Sequence, residues 1–213
     1  MESVDSLLTN IDRSKPILLV DADEVLLQFV IRLEEFCLGQ GFELRLTSFK
    51  LAGNIYERAT GDLAPPHQVK EMLANFFSEC VEDMAAVPGA AQGLAELSQY
   101  YQIAILTNVP RRNKTGRRKN LAQLGMDYPV IANKGDKGPI VKLFSEATEQ
   151  PTIFMDDLPP QHSSVAAHCP ESHRIHFVAD PRLADMIGKA PDADVRIDTW
   201  RQVKTHLISR LEI

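Results

Sequence analysis

The sequence predicts an α/β fold: a Rossmann-like, doubly wound parallel sheet with a small α-helical cap inserted after the first strand. Two observations support this prediction. Short apolar or β-branched runs alternate with helix-like stretches along most of the chain, and one long interval near the start breaks that alternation. Parallel strands need crossover connections, usually helices, so the alternation favours a parallel sheet with helices on both faces. A chain of 213 residues with 44% apolar composition can bury one such core and carry a smaller lobe.

The predicted core elements share a simple pattern, in which each apolar run ends in polar residues and most runs are followed by a stretch of helical periodicity. The predicted strands are 16–20, 103–106, 130–132, 152–155, 174–178 and 195–197. The predicted helices are 93–100, 119–124, 140–147, 183–187 and 199–210.

The interval 26–87 contains no convincing strand. It shows helical patterns at 30–38 and 69–84, separated by a loop-like segment at 61–66. We therefore predict two domains, a core formed by 1–25 and 88–213 and a helical cap formed by 26–87. Val87, Pro88 and Gly89 would form the exit hinge, because proline and glycine interrupt helices and set turns.

Composition excludes several classes of protein. A net charge of −6 argues against a nucleic-acid binder, and no apolar run approaches the roughly 18 residues of a membrane span. The first ten residues include Glu2 and Asp5 and do not resemble a secretory leader. Cys37, Cys80 and Cys169 are too far apart for a typical zinc or disulfide motif, so we expect reduced, structural thiols. Together these features predict a cytoplasmic protein without a membrane or nucleic-acid partner.

Polar side chains follow three of the predicted strands. They are Asp21 and Asp23, Thr107 and Asn108, and Asp156 and Asp157. In a parallel sheet, ligands bind beyond the carboxyl ends of the strands, so these groups are expected to converge. Four carboxylates at one edge would repel one another unless a cation binds, and an all-oxygen ligand set suits Mg²⁺ and phosphate chemistry. The alternative for any single aspartate is that it caps the next helix.

With these residues the chain resembles the haloacid dehalogenase-like superfamily of hydrolases over nearly its full length. Four motifs occur in the family's order. They are the Asp-x-Asp segment at 21–25, Thr107 after the second strand, Lys137 at the start of a later helix, and the acidic pair Asp156 and Asp157.

The resemblance implies a role for each carboxylate. Asp21 would be the nucleophile that forms an aspartyl-phosphate, and Asp23 would be the general acid and then the general base. The family's dehalogenases lack this second aspartate, so the resemblance favours a phosphatase. Asp21, the backbone carbonyl of Asp23 and Asp157 would bind Mg²⁺, with Asp156 acting directly or by supporting the ligands.

The remaining motif residues would bind the phosphoryl group. By the same resemblance, Thr107 and Asn108 would donate hydrogen bonds to it, and Lys137 would offset its charge. Lys134 and Lys142 are alternatives to Lys137. Two departures from the family are Glu24, where many members have glycine, and Leu158, where many have serine. The first is expected to change the shape of the turn after the nucleophile.

Two groups of polar residues are candidates for selecting the substrate. The polar cap candidates are Arg45, Lys50, Asn54, Tyr56, Arg58 and His67. A run of six basic residues is expected at the rim of the site, where it would bind a polyanionic substrate or simply be solvated. Its members are Arg111, Arg112, Lys114, Arg117, Arg118 and Lys119. A histidine- and cysteine-rich segment offers a structural zinc site as an alternative to a purely structural role for these side chains. Its members are His162, His168, Cys169, His173 and His176.

The sequence thus predicts a magnesium-dependent phosphatase that acts on a small phosphorylated metabolite, with a nucleotide-like substrate as a further hypothesis. The alternatives are a phosphomutase or phosphonate hydrolase on the same core, or a binding protein that keeps the fold without turnover.

Overall fold

The computed structural model describes residues 4–49 and 53–211. Its central sheet has six parallel strands in the order β5-β4-β1-β6-β7-β8. The strands are β1 (Ile17–Val20), β4 (Gln102–Thr107), β5 (Val130–Ala132), β6 (Thr152–Asp156), β7 (His173–His176) and β8 (Val195–Arg196). All six lie at the predicted positions within a few residues, so the predicted parallel α/β sheet is confirmed.

Helices connect the strands and cover the sheet. The core helices are α1 (Val4–Thr9), α4 (Ala90–Leu97), α5 (Lys114–Gln123), α6 (Gly138–Ala147), α7 (Pro159–His168), α8 (Pro181–Ala184) and α9 (Trp200–Ser209). A short 3₁₀ turn, Arg111–Asn113, precedes α5. Helix α7 was not predicted, because its buried side chains include Gln161 and His162 and give no apolar stripe.

Both faces of the sheet are buried, which explains the nearly continuous apolar runs of its strands. In β1, Leu18 and Val20 belong to one hydrophobic cluster and Ile17 and Leu19 to another. This alternation follows from the two-residue period of a strand. The first cluster continues into the inserted segment, so the core and the cap share apolar packing.

The inserted segment contains α2 (Phe29–Gly39) and α3 (Pro66–Cys80), close to the predicted helices. The prediction that it lacks strands is wrong. Strands β2 (Phe42–Leu44) and β3 (Ile55–Glu57) pair antiparallel between the two helices. Strands of three residues are too short to show a two-residue period, and their apolar residues could equally belong to a loop.

The chain leaves and re-enters the core through two adjacent segments. The Val87 N–H donates to the Leu26 carbonyl at 2.8 Å, and the Gln28 N–H donates to the Ala85 carbonyl at 2.9 Å. The excursion therefore begins and ends at the predicted positions, while its division into a separate domain stays a prediction.

Two expectations from composition can be compared with the structure. Cys37, Cys80 and Cys169 are buried and free. Within residues 4–49 and 53–211, no helix combines the length and apolarity needed to cross a bilayer.

Candidate active site

The strand order places the predicted motifs side by side. β1 lies between β4 and β6, with Val20 in register with Ile105 and with Met155. Asp21 therefore follows β1 beside Thr107, the last residue of β4, and Asp156, the last residue of β6. The carboxyl ends of the three central strands thus bring the first, second and fourth motifs to one edge.

Lys137 links the first and fourth motifs. It precedes α6 and is only 2% exposed, and its Nζ lies 2.6 Å from Asp21 Oδ1 and 2.6 Å from Asp156 Oδ2. Burial opposes the charge of Lys137, but Asp156 and Asp21 outweigh it and raise the lysine pKa above its ordinary value. Of the two alternatives, Lys134 is exposed and Lys142 pairs with Glu146 at 3.7 Å.

Three carboxylates form a candidate metal site. One oxygen from each of Asp21, Asp156 and Asp157 lies within 4.8 Å of the others. Burial, together with Asp156, raises the pKa of Asp21 to about 6, although Lys137 opposes the shift. Burial and the charges of Asp156 and Asp21 raise the pKa of Asp157 well above its ordinary range. An all-oxygen donor set with this much uncompensated charge fits a hard divalent cation.

The two members of the acidic pair differ in their surroundings. Asp156 is fully buried; Lys137 contacts its Oδ2, and the Leu158 N–H donates to its Oδ1 at 2.9 Å. No protein donor contacts the Asp157 carboxylate within the described ranges, and Asp157 lines the cavity described below. Asp157 is therefore the acid of the pair with oxygens available to a ligand.

Two buried histidines fix the backbone of the acidic pair. His162 Nε2 donates to the Asp156 carbonyl at 3.0 Å, and His176 Nε2 donates to the Asp157 carbonyl at 2.9 Å. The Ala190 N–H donates to His176 Nδ1 at 3.1 Å, which fixes the tautomer. Burial lowers the pKa of both histidines to about 4, so they are neutral near pH 7.

The sequence suggested both histidines as alternative zinc ligands and His162 also as a pocket residue near the acidic pair; His162 contacts that pair but does not line the cavity. The residues that the structure describes contain no histidine or cysteine cluster with metal-binding geometry. The role of the histidines as backbone donors was missed, because a hydrogen bond to a carbonyl leaves no signal in the sequence.

Asp23 carries a second buried ion pair. Arg117 Nη2 lies 2.6 Å from Asp23 Oδ1, and the Arg117 side chain is fully buried. Arg117 Nη1 also contacts Met84 Sδ at 3.1 Å. Burial raises the pKa of Asp23 to about 6, against the attraction of Arg117. Asp21 and Asp23, only two positions apart, are thus bound by different cations.

Glu24 holds the loop that follows Asp21. Its φ of 60° lies in the left-handed region, so this turn keeps the conformation that glycine favours despite the change of residue. The Val30 N–H, at the start of α2, donates to Glu24 Oε2 at 2.8 Å. Burial raises the Glu24 pKa to about 7. Trp200 Nε1 donates to the Val25 carbonyl at 2.9 Å and secures the same loop.

The second motif joins two loops. The Thr107 side chain is buried, and its Oγ1 accepts a hydrogen bond from the Val109 N–H at 3.3 Å. Asn108 Nδ2 donates to the Gly135 carbonyl at 2.9 Å, and Asn133 Nδ2 donates to Asn108 Oδ1 at 3.0 Å. Asn108 therefore lies on the Lys137 side of the site.

A cavity of about 280 Å³ lies over these residues. Its polar floor comprises Asp21, Asp23, Glu24, Asn108, Lys137 and Asp157. Its walls are apolar and comprise Phe29, Val30, Phe49, Leu73, Phe77, Leu158 and Leu183.

The polar groups expected to select the substrate lie elsewhere. Among the described cap candidates, Arg45 stacks on Tyr56 at 4.4 Å, Asn54 is buried, and neither Arg58 nor His67 lines the cavity. Lys50 lies outside the described residues.

The basic run does not line the cavity either. Arg118 lies 3.6 Å from Asp127, and Lys119 lies 2.5 Å from Glu82. Arg111 and Arg112 are exposed, and only Arg117 points into the protein. That this run meets the substrate at the rim of the site stays a prediction.

Comparison with known proteins identifies the fold. No family model and no curated protein matches the sequence. A HAD family hydrolase from Deinococcus radiodurans, crystallised with phosphate and sodium, aligns with a TM-score of 0.62 at 12% identity, covering 93% of this chain and 97% of that one. The HAD-hydrolase YfnB from Bacillus subtilis, bound to magnesium, aligns with a TM-score of 0.61 at 14% identity, covering 92% of this chain and 99% of that one.

An L-2-haloacid dehalogenase from Xanthobacter autotrophicus also aligns, with a TM-score of 0.58 at 15% identity, covering 92% of this chain and 99% of that one. The chain therefore has the haloacid dehalogenase-like fold, as the motifs imply. This fold occurs in proteins with different chemistry, so the reaction has to be argued from the site.

Proposed function

We propose that the protein is a magnesium-dependent phosphatase that hydrolyses a small phosphate monoester through an aspartyl-phosphate on Asp21. The observation that carries the proposal is the pair of carboxylates at the cavity floor, Asp21 and Asp23, which contact two different buried cations. A nucleophile and a separate proton donor are the two groups that this reaction needs.

In the first step, an Asp21 oxygen attacks phosphorus and the ester P–O bond breaks. Asp23 gives its proton to the leaving oxygen, and a pKa near 6 leaves it partly protonated at neutral pH. In the second step, Asp23 takes a proton from water, whose oxygen attacks phosphorus and releases Asp21. Lys137 holds Asp21 in place and offsets the negative charge of the phosphoryl oxygens.

The oxygen ligands present would hold Mg²⁺. Asp21 and Asp157 offer carboxylate oxygens and Asp23 its backbone carbonyl, while Asp156 is bound to Lys137 and supports the site. When bound, the ion would neutralise charge on the nucleophile and the phosphoryl group. The absence of any protein donor at the Asp157 carboxylate within the described residues supports this assignment.

The fold also occurs in haloacid dehalogenases, so the test includes both reactions. The purified protein should release phosphate from 4-nitrophenyl phosphate with Mg²⁺, lose this activity in EDTA, and release no chloride from 2-chloropropionate. The Asp21→Asn variant, equally folded, is the matched control. Chloride release without phosphate release would show that the protein is a dehalogenase and not a phosphatase. The absence of both activities would favour a binding protein.

A phosphomutase or phosphonate hydrolase on the same core would be recognised by its products. Transfer of phosphate to a second hydroxyl of a sugar phosphate, or cleavage of a carbon–phosphorus bond, at a higher rate than monoester hydrolysis would identify either one.

A further inference from the structure

We propose that the leaving group of the substrate is an uncharged, apolar ring of about the size of one benzene ring. This inference rests on the proposed function and adds the substrate class. It is carried by the apolar walls of the cavity above Asp21 and Asp23. The departing oxygen would be protonated by Asp23 at the floor, so the group attached to that oxygen would lie against these walls.

The aromatic part of the wall is backed by further aromatic packing. Phe29 and Phe77 line the cavity with ring centroids 6.0 Å apart. Phe76, fully buried behind them, lies 5.2 Å from Phe29 and 5.5 Å from Phe77 in edge-to-face contacts. Asn113 Nδ2 donates to the Phe77 carbonyl at 2.9 Å and fastens α3 to the core. A wall fixed in this way favours a flat apolar ligand over one that needs water.

The charges argue against a second anionic group on the substrate. Lys137 is the cation that lines the cavity within the described ranges, and it is bound by Asp21 and Asp156. Arg117 is likewise bound by Asp23. A carboxylate or second phosphate against the wall would lose its hydration without gaining a partner among residues 4–49 and 53–211.

The volume of the cavity fits a leaving group of this size. Apolar cavities of about 150 Å³ bind benzene. A cavity of about 280 Å³ therefore has room for one phosphoryl group and one ring.

The first experiment compares monoesters of primary alcohols, so that leaving-group chemistry stays similar. With Mg²⁺, kcat/KM for benzyl phosphate should exceed that for glycerol 1-phosphate and for 4-carboxybenzyl phosphate by at least about tenfold. Methyl phosphate has no ring, so its kcat/KM measures the rate of hydrolysis without any contact between the leaving group and the apolar wall.

The second experiment changes the wall. Phe77→Ser should lower kcat/KM for benzyl phosphate by about tenfold and leave methyl phosphate within about twofold, whereas Phe77→Leu should retain most of the activity. Phe42→Ser is the matched control, because Phe42 is half-buried in the same cap and does not line the cavity. If Phe77→Ser fails to fold, Leu73→Ala tests the same wall.

The possible outcomes separate the two proposals. Equal or better turnover of glycerol 1-phosphate or 4-carboxybenzyl phosphate would overturn the ring assignment and leave the phosphatase intact. An equal loss with benzyl and methyl phosphate in Phe77→Ser would also overturn it. No turnover of any monoester, methyl phosphate included, would instead overturn the proposed function itself.

Discussion

Asp21 and Asp23 lie on one short loop, yet their carboxylates have different neighbours. Asp21 is bound by Lys137, which it shares with Asp156, while Asp23 is bound by Arg117 from helix α5. A carboxylate held by a shared lysine beside the candidate metal site suits attack on phosphorus. A carboxylate with its own arginine, partly exposed to the cavity, suits proton transfer.

We predict that Asp21→Asn abolishes turnover with an unchanged melting temperature, within a few degrees, because the amide is nearly isosteric but a poor nucleophile. Asp23→Asn should lower kcat by about 10²- to 10⁴-fold, the usual contribution of general acid–base catalysis. Steady-state kinetics and thermal denaturation measure both effects. Normal turnover by Asp21→Asn would exclude the aspartyl-phosphate route.

We predict that Arg117→Met lowers the free energy of unfolding by about 3 kcal/mol, because it leaves Asp23 without its buried partner. The same substitution in an Asp23→Asn background should cost clearly less, since no charge is then left unpaired. Urea denaturation of the four proteins completes the double-mutant cycle. Equal costs in both backgrounds would mean that Arg117 contributes only packing.

The sequence predicted the motif residues of this site and named Arg117 in the basic run, but it did not predict that Arg117 pairs with Asp23. All the motif residues except Lys137 lie at or just after the end of a strand, and the position of a strand end can be inferred from its apolar run. Arg117 is recognisable only as part of a helix face that also contains Gly116, Asn120 and Leu121. Helix α5 was predicted to begin at residue 119, so residues 116 and 117 were not recognised as part of its buried face. The pairing with Asp23, 94 positions away, has no local pattern at all.

At the scale of elements, the turn after β1 connects the loop of Asp21 and Asp23 to the inserted segment. Glu24 occupies the left-handed region, which costs a residue with a side chain about 1 kcal/mol, while its carboxylate accepts the first free N–H of α2. The side chain thus compensates for the strain of its own backbone and fixes the start of the cap. Glycine would adopt the turn freely but could not make this contact.

β7 and α7 support the acidic pair from behind through His176 and His162. We predict that His176→Phe lowers the free energy of unfolding by about 1 to 3 kcal/mol at pH 7, because the Asp157 carbonyl and the Ala190 N–H lose their partner.

The cost of His176→Phe should depend on pH. The folded-state pKa of His176 is about 4, below the ordinary value of 6.5, so the unfolded chain binds more protons between these values. The contribution of His176 is therefore complete above about pH 6.5 and lost as the pH falls towards 4. Urea midpoints of the wild type and the variant at pH 7, 5.5 and 4 measure the difference. A difference independent of pH would show that His176 is not buried as a neutral group.

The core elements could be predicted where the sequence of the element itself shows a clear hydrophobic pattern. The central strands β1, β4 and β6 are buried on both faces and appear as nearly continuous apolar runs, and α6 buries an apolar stripe that includes Val141 and Phe144. The elements that were missed depend on tertiary contacts. β2 and β3 are stabilised by pairing with each other, and α7 buries Gln161 and His162 through hydrogen bonds rather than through an apolar stripe.

For the whole molecule, the main electrostatic strain lies at the edge of the sheet. Asp21, Asp23 and Asp157 all have raised pKa values, chiefly because of burial. A carboxyl group whose pKa is raised on folding stabilises the protein only while it is protonated. The metal-free protein should therefore lose stability as the pH rises from about 4 through about 6.

We predict that Mg²⁺ reverses this loss, because a cation that binds only the folded carboxylates stabilises the protein by mass action. Saturating Mg²⁺ should raise the melting temperature by several degrees at pH 7.5 and much less at pH 5, where protons compete for the same oxygens. Scanning calorimetry with Mg²⁺ and with EDTA at both pH values measures the two shifts.

Two variants test which carboxylate depends on the ion. Asp157→Ala should abolish the Mg²⁺-dependent shift and make the metal-free protein less sensitive to pH, because the carboxylate without a protein donor is gone. Lys137→Ala should lower the stability without metal and enlarge the shift, since Asp21 and Asp156 then have only the ion to offset their charge. A shift that persists undiminished in Asp157→Ala would place the cation elsewhere. A shift of equal size at pH 5 and pH 7.5 would show that protons do not compete with Mg²⁺ for these carboxylates. The proposal that their negative charge binds the ion would then fail.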